Sequence, residues 1–213
     1  MRCKARSHYS RTEKGRNMEP IKKTIGVVLL LATMLFVGCD GELTATIYVR
    51  DVIDLSEEKN EILYTNAVVA IESPGESNVE FLKQKMKEWF REAKNFRTSS
   101  KDFTNYMVAD IKIPVYNLDI KNQEIEDLFS VVVVNGSNTD DVHIGLSIKK
   151  EAFQRIADYV SNQFYSTISI SDWELNIVVN NDTRQIVNMT AQSVYIDNTP
   201  VFYPVEFQID ERS

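Results

Sequence analysis

The stretch Ile25–Val37, IGVVLLLATMLFV, limits what this chain can become more than any other. It is uninterrupted by charge, follows Lys22 and Lys23, and ends on Gly38-Cys39. A membrane-spanning helix needs about 20 apolar residues to cross roughly 30 Å of hydrocarbon, and this run is shorter. A short basic region, an apolar run and a small residue make the layout of a secretory signal with its cut after Gly38. Two plainer readings compete: an uncleaved span, for which the run is short, and a buried core helix, for which nothing downstream supplies a partner.

Residues Leu35-Phe36-Val37-Gly38-Cys39 narrow the reading. They resemble the box of bacterial lipoprotein signal peptides, with Val37 and Gly38 fitting and Phe36 standing where Leu is usual. The resemblance implies cleavage before Cys39, a diacylglycerol on its thiol, and a further acyl chain such as palmitate on the new amine. Each buried methylene contributes about 0.8 kcal/mol, so several chains together anchor the protein to the membrane. In the same family an Asp after the acylated Cys favours the inner membrane, and Asp40 stands there. Outer-membrane placement is the alternative, the domain facing the periplasm in the first case.

Four segments follow. Residues 1–17 are basic, polar and aperiodic, so Met18 rather than Met1 is expected to start the chain, with 18–38 as the signal peptide. Cys39 and a tether to Glu42 come next, then one domain over 43–213. The first 38 residues hold eight Lys/Arg and two acids; taking these from totals of 24 and 31 leaves 16 and 29, a net charge of −13 against −7 for the whole chain. Nucleic-acid binding depends on clustered Lys and Arg, so no partner of that class is expected. The only cysteines are Cys3 and Cys39, which leaves 43–213 without a disulfide or a thiol nucleophile.

Hydrophobic periodicity organises the domain. Leu43–Arg50 and Glu61–Ser73, rich in β-branched residues, are expected to pair as a hairpin across the turn Ser56–Asn60. Ser77-Asn78-Val79-Glu80 has the pattern of a capping box, and Val79, Leu82, Met86, Trp89, Phe90 and Ala93 continue at helical spacing. The basic residues from Lys83 to Lys101 are expected on that helix's outer face. Lys83, Lys87, Arg91 and Lys94 are the candidate surface for an envelope partner, weighed against an ordinary solvated face. Strands are expected over Asp102–Tyr116, with Pro114 marking an edge or an end, and over Leu128–Val134 and Val142–Ile148. A second amphipathic helix covers Lys149–Phe164, and a three-stranded meander ends the chain. The expected class is α+β: a mostly antiparallel sheet, two helices, and a rough recurrence of hairpin, helix and strand that hints at duplication.

Catalytic sets are sparse. After the signal His143 is the one histidine, it alternates inside a strand, and no Gly-x-Ser-x-Gly turn exists. Zinc would need several His or Cys, and the Asn135–Asp141 loop lacks the calcium-loop pattern. No phosphate loop, cofactor motif or metal set is expected. The carboxylate pairs Asp51/Asp54 and Glu57/Glu58 read as solvated turn residues, or as acids of a polysaccharide hydrolase if a cleft unites them. The sequence thus favours a lipid-anchored envelope protein with a binding or structural role. Its alternatives are an envelope hydrolase and a phage-type exclusion or immunity lipoprotein, since the domain looks like small lipoproteins of bacteria and their phages.

Overall fold

The computed structural model describes residues 2–4, 40–73, 78–101, 104–121, 124–136, 141–164, 166–191, 194–196 and 199–211. The signal peptide, Gly38, Cys39 and Ser77 of the expected capping box lie outside them. The fold is α+β, with a mixed sheet and three helices among the described residues.

In chain order the elements are β1 (Arg2–Lys4), β2 (Gly41–Tyr48), α1 (Val49–Glu57), β3 (Ile62–Glu72), α2 (Val79–Trp89), β4 (Lys94–Lys101), β5 (Thr104–Asn117), β6 (Phe129–Asn135), β7 (Val142–Ile148) and α3 (Lys150–Phe164). A 3-10 turn at Ile170–Asp172 leads to β8 (Trp173–Asn180), β9 (Val187–Ala191), β10 (Val194–Ile196), β11 (Thr199–Val201) and β12 (Val205–Ile209). The sheet order is β11-β10-β1-β8-β2-β3-β5-β6-β7, with β4 beside β5, while β9 and β12 form a separate ribbon.

Five expectations need correction. A third helix, α1, stands between β2 and β3 where a turn was expected. Its Val49, Val52 and Leu55 are buried at three-residue spacing, so the packing face rather than propensity holds nine residues helical. The basic helix stops at Trp89, and Lys94–Lys101 returns as β4. Glu92 and Asn95, both at positive φ, make the reversal, and the register slips between Lys94 and Arg97. The C-terminal third is no meander: β8 enters the main sheet parallel to β2, and β9 pairs with β12. With α1 and β4 in place, the expected recurrence of hairpin, helix and strand is not matched element for element. β2 also begins at Gly41, inside the expected tether.

Alternation sets the layers. Leu43, Ala45 and Ile47 of β2, Ala67, Val69 and Ile71 of β3, and Met107 to Val115 of β5 at every second residue point to one face. Leu55, Leu82, Met86, Phe153 and Ile156 from the three helices close that face into a single core. Phe129 sits at its centre, 6.2 Å from Phe90 and 5.0 Å from Trp173. Pro114 lies within β5 where the strand changes neighbours, after β4 has ended at Asp110 and before β6 joins at Val115. Its missing N–H costs little in that gap.

Candidate functional site

The helix-free face of the sheet carries the cleft. It is lined by Glu42 and Thr44 of β2, Val68 and Ala70 of β3, Tyr106 and Val108 of β5, and Ser99 and Lys101 of β4, around a volume of about 160 Å³. These are the alternate residues of the same strands that build the core, which is why each side chain points here.

Lys101 defines the cleft's shape. Its Nζ lies 3.8 Å from Glu42 on β2 and 4.0 Å from Glu174 on β8. β4 and β2 are separated by β5 and β3, which in a flat sheet means roughly 14 Å. The sheet therefore curls around this face, bringing distant strands within reach of one ammonium. Below it Asn176, buried, directs Nδ2 to Glu42 at 3.5 Å and Glu174 at 3.4 Å. A cation and an amide thus hold two carboxylates together. The pair Glu42 and Glu174 was not singled out in the sequence; 132 residues separate them, and only the parallel pairing of β2 with β8 places them side by side.

A second group of acids gathers where β2 begins. Asp40 N–H donates to Glu72 Oε2 at 3.2 Å, and Glu72 N–H to Asp40 O at 3.0 Å. Burial, and then the charge of Asp172, raise the Asp40 carboxyl above its ordinary range. Burial also raises Glu72, partly offset by the bond from Asp40 N–H.

The residues picked out from sequence are dispersed. Lys83 and Lys87 stand over the Phe96 ring at 5.8 and 5.6 Å. Arg91 binds Asp127 through two nitrogens at 2.9 and 3.1 Å and stacks 4.8 Å over Tyr64. Lys94 opens β4 opposite Asp110. The four form no single helical stripe, because the chain reverses between Trp89 and Lys94. Asp51, Asp54, Glu57 and Glu58 lie on or after α1, away from the cleft, and Asp51 is raised by burial and by Asp182. His143 is exposed on β7 opposite Val134. Of the Asn135–Asp141 loop, residues 137–140 lie outside the described set, and no three potential ligands cluster for a metal among the described residues.

The cleft is smaller than the roughly 300–1,000 Å³ typical of small-molecule sites, and its charged groups are already engaged with one another. A profile of a family described as a domain of unknown function, DUF7424, matches residues 41–213. The chain belongs to the DUF7424 family. The match starts on the first residue of β2, so the DUF7424 domain comprises the curled sheet, its helices and the cleft. No curated protein and no solved structure matches the chain. No helix among the described residues is long and apolar enough to cross a membrane.

Proposed function

We propose that this DUF7424 protein is a lipid-anchored binding module of the bacterial envelope, held through acylated Cys39, without catalytic activity, and facing the periplasm. The observation that carries the reading is the Leu35–Cys39 box placed immediately before the domain. It gains support from the position of β2, which begins two residues beyond Cys39 and lies inside the sheet between β3 and β8. An anchor there pulls on a fully paired strand rather than on a fraying end. Inner-membrane placement rests on Asp40. For the sheet, we read a mostly antiparallel pattern, supported by hairpins such as β6/β7, with β2/β8 and β5/β6 as its parallel pairs.

The reading has a structural cost that makes it testable. Cleavage before Cys39 removes Arg2–Lys4, which lies between β8 and β10. The processed domain must then be stable without that strand. The full chain and its Cys39→Ser variant are expressed in a bacterium, membranes are fractionated, and intact masses are measured. The expected product starts at Cys39, carries acyl chains and sediments with membrane, all of which the variant loses. An unmodified soluble chain that retains its first residues overturns the proposal.

A further inference from the structure

β7 ends the main sheet, and among the described residues no strand pairs with its outer edge. The hydrogen-bond parity can be read from both ends of its pairing with β6. Lys149 N–H donates to Leu128 O at 2.9 Å and Gly136 N–H to Asp141 O at 2.7 Å, which makes 128/149 and 136/141 hydrogen-bonded pairs of one unbroken antiparallel register. By alternation His143, Gly145 and Ser147 bond inward to β6. The N–H and C=O groups of Val142, Ile144, Leu146 and Ile148 therefore point away from the sheet, and none has a partner among the described residues.

Natural edge strands are blunted by lysines, prolines, bulges or a covering loop, because an open edge templates pairing. Val142–Ile148 contains no charged residue and no proline, and its register has no bulge. We propose that β7 pairs antiparallel with β7 of a second copy across a two-fold axis at Gly145, joining two sheets into one.

The register argues for a second copy as occupant. Only the alignment that centres on Gly145 engages all of Val142–Ile148 while using the outward groups on both chains. It sets Ile144 opposite Leu146 and Val142 opposite Ile148, so that apolar side chains on the core side extend one another. On the other side it places Gly145 opposite its own equivalent, where the strands approach closest, and a Cβ at Gly145 would meet nothing within 4 Å. His143 then faces Ser147. Just beyond the strand, Asp141 of one copy stands opposite Lys149 of the other, twice, as an isologous interface requires. Lys149 also holds Glu124 at 3.4 Å and Glu126 at 3.2 Å, so the uncharged, self-complementary strand carries the pairing rather than this flanking charge pair.

Sedimentation of the full chain in detergent tests this, with detergent mass matched out. A dimer is expected, tightening as salt rises because the net negative charges of the two copies are screened. Gly145→Lys sets two ammonium groups at the axis and halves the mass while leaving the melting temperature unchanged. Leu146→Pro removes an outward N–H without touching the β6 ladder, and it lowers the dimer fraction too. In a Cys3→Ser, Cys39→Ser background, Gly145→Cys crosslinks to itself on oxidation, whereas His143→Cys does not. A monomeric chain, whether another segment or a different protein covers the edge, overturns the proposal. So does a dimer that survives Gly145→Lys, or crosslinking that is equal at 143 and 145. The inference is independent of the anchor, since the edge exists whether or not Cys39 is acylated.

Discussion

Gly41 has no room for a side chain. A Cβ there would lie 2.4 Å from Trp173 Cε2, because the parallel register puts Gly41 beside Trp173 and the indole lies across the backbone. Trp173 cannot retreat: it touches Phe129, stands 6.3 Å edge-on to Phe153, and its buried indole N–H has no acceptor among the described residues. Gly41→Ala is therefore expected to destabilise the domain by about 1–3 kcal/mol, the usual cost of overpacking a filled core. Urea unfolding checks it, and an unchanged midpoint would show that the indole moves freely. Glu92 shows the opposite economy, a non-glycine residue at φ 53° that accepts a left-handed conformation where α2 must turn into β4.

α1 shows how an element is held by what lies around it. Its N-cap, Tyr48, offers no side-chain hydrogen bond, so the last turn matters more. There Asn117 Nδ2 donates to Leu55 O at 3.1 Å and to Asn135 Oδ1 at 3.0 Å, while Asn135 Nδ2 reaches Ser56 O at 2.9 Å. Two amides from β5 and β6 thus satisfy carbonyls that a helix end leaves without partners. Asn117 is fully buried, and its Oδ1 also accepts from Asp119 N–H at 3.0 Å. Asn117→Ala leaves the carbonyl of buried Leu55 without its partner and removes the bonds to Asn135 and Asp119, and it is expected to cost about 1–3 kcal/mol. Chemical denaturation measures the loss, and faster amide exchange in 49–57 than elsewhere would locate it in α1. A uniform exchange increase would mean that α1 is held by its apolar face alone.

Charge acts on the molecule as a whole. Residues 39–213 are strongly acidic, and at the end of the sheet where β2 starts Asp40 and Glu72 are both raised by burial. A carboxyl whose folded pKa lies above its unfolded value holds more protons folded than unfolded there. Its penalty is thus absent below the ordinary value of 4.5 and grows as pH rises through the folded pKa. Asp110 and Asp119 act oppositely. The first is lowered by bonds from Asn95 and Arg97, the second by the bond from Lys59, and their stabilisation is lost as pH falls below the ordinary 3.8. Comparing Glu72→Gln with the parent chain isolates the first effect. The variant is expected to be more stable at pH 7, with the advantage vanishing near pH 4. Thermal melts at both values test this, and a variant less stable at pH 7 would show that the bond from Asp40 N–H outweighs burial.

What the amino-acid sequence determined by itself was local. Long alternating or continuous apolar runs placed β3, β6 and β7, and helical spacing of Phe153, Ile156 and Val160 placed α3, because each pattern is a property of neighbours along the chain. The lipoprotein resemblance is equally local, since its box is read in consecutive residues. α1 escaped because the helical spacing of Val49, Val52 and Leu55 runs for only nine residues, with no polar cap, directly after a β-branched strand whose pattern reads on into it. The end of α2 escaped because Lys87–Lys101 has the charges of an exposed helix and of an exposed strand alike; tertiary pairing with β5 chose between them. The cleft was illegible for the same reason. Lys101, Glu42 and Glu174 meet only because the sheet curls and β8 closes on β2, and pairing between distant segments is settled by the burial of the whole core.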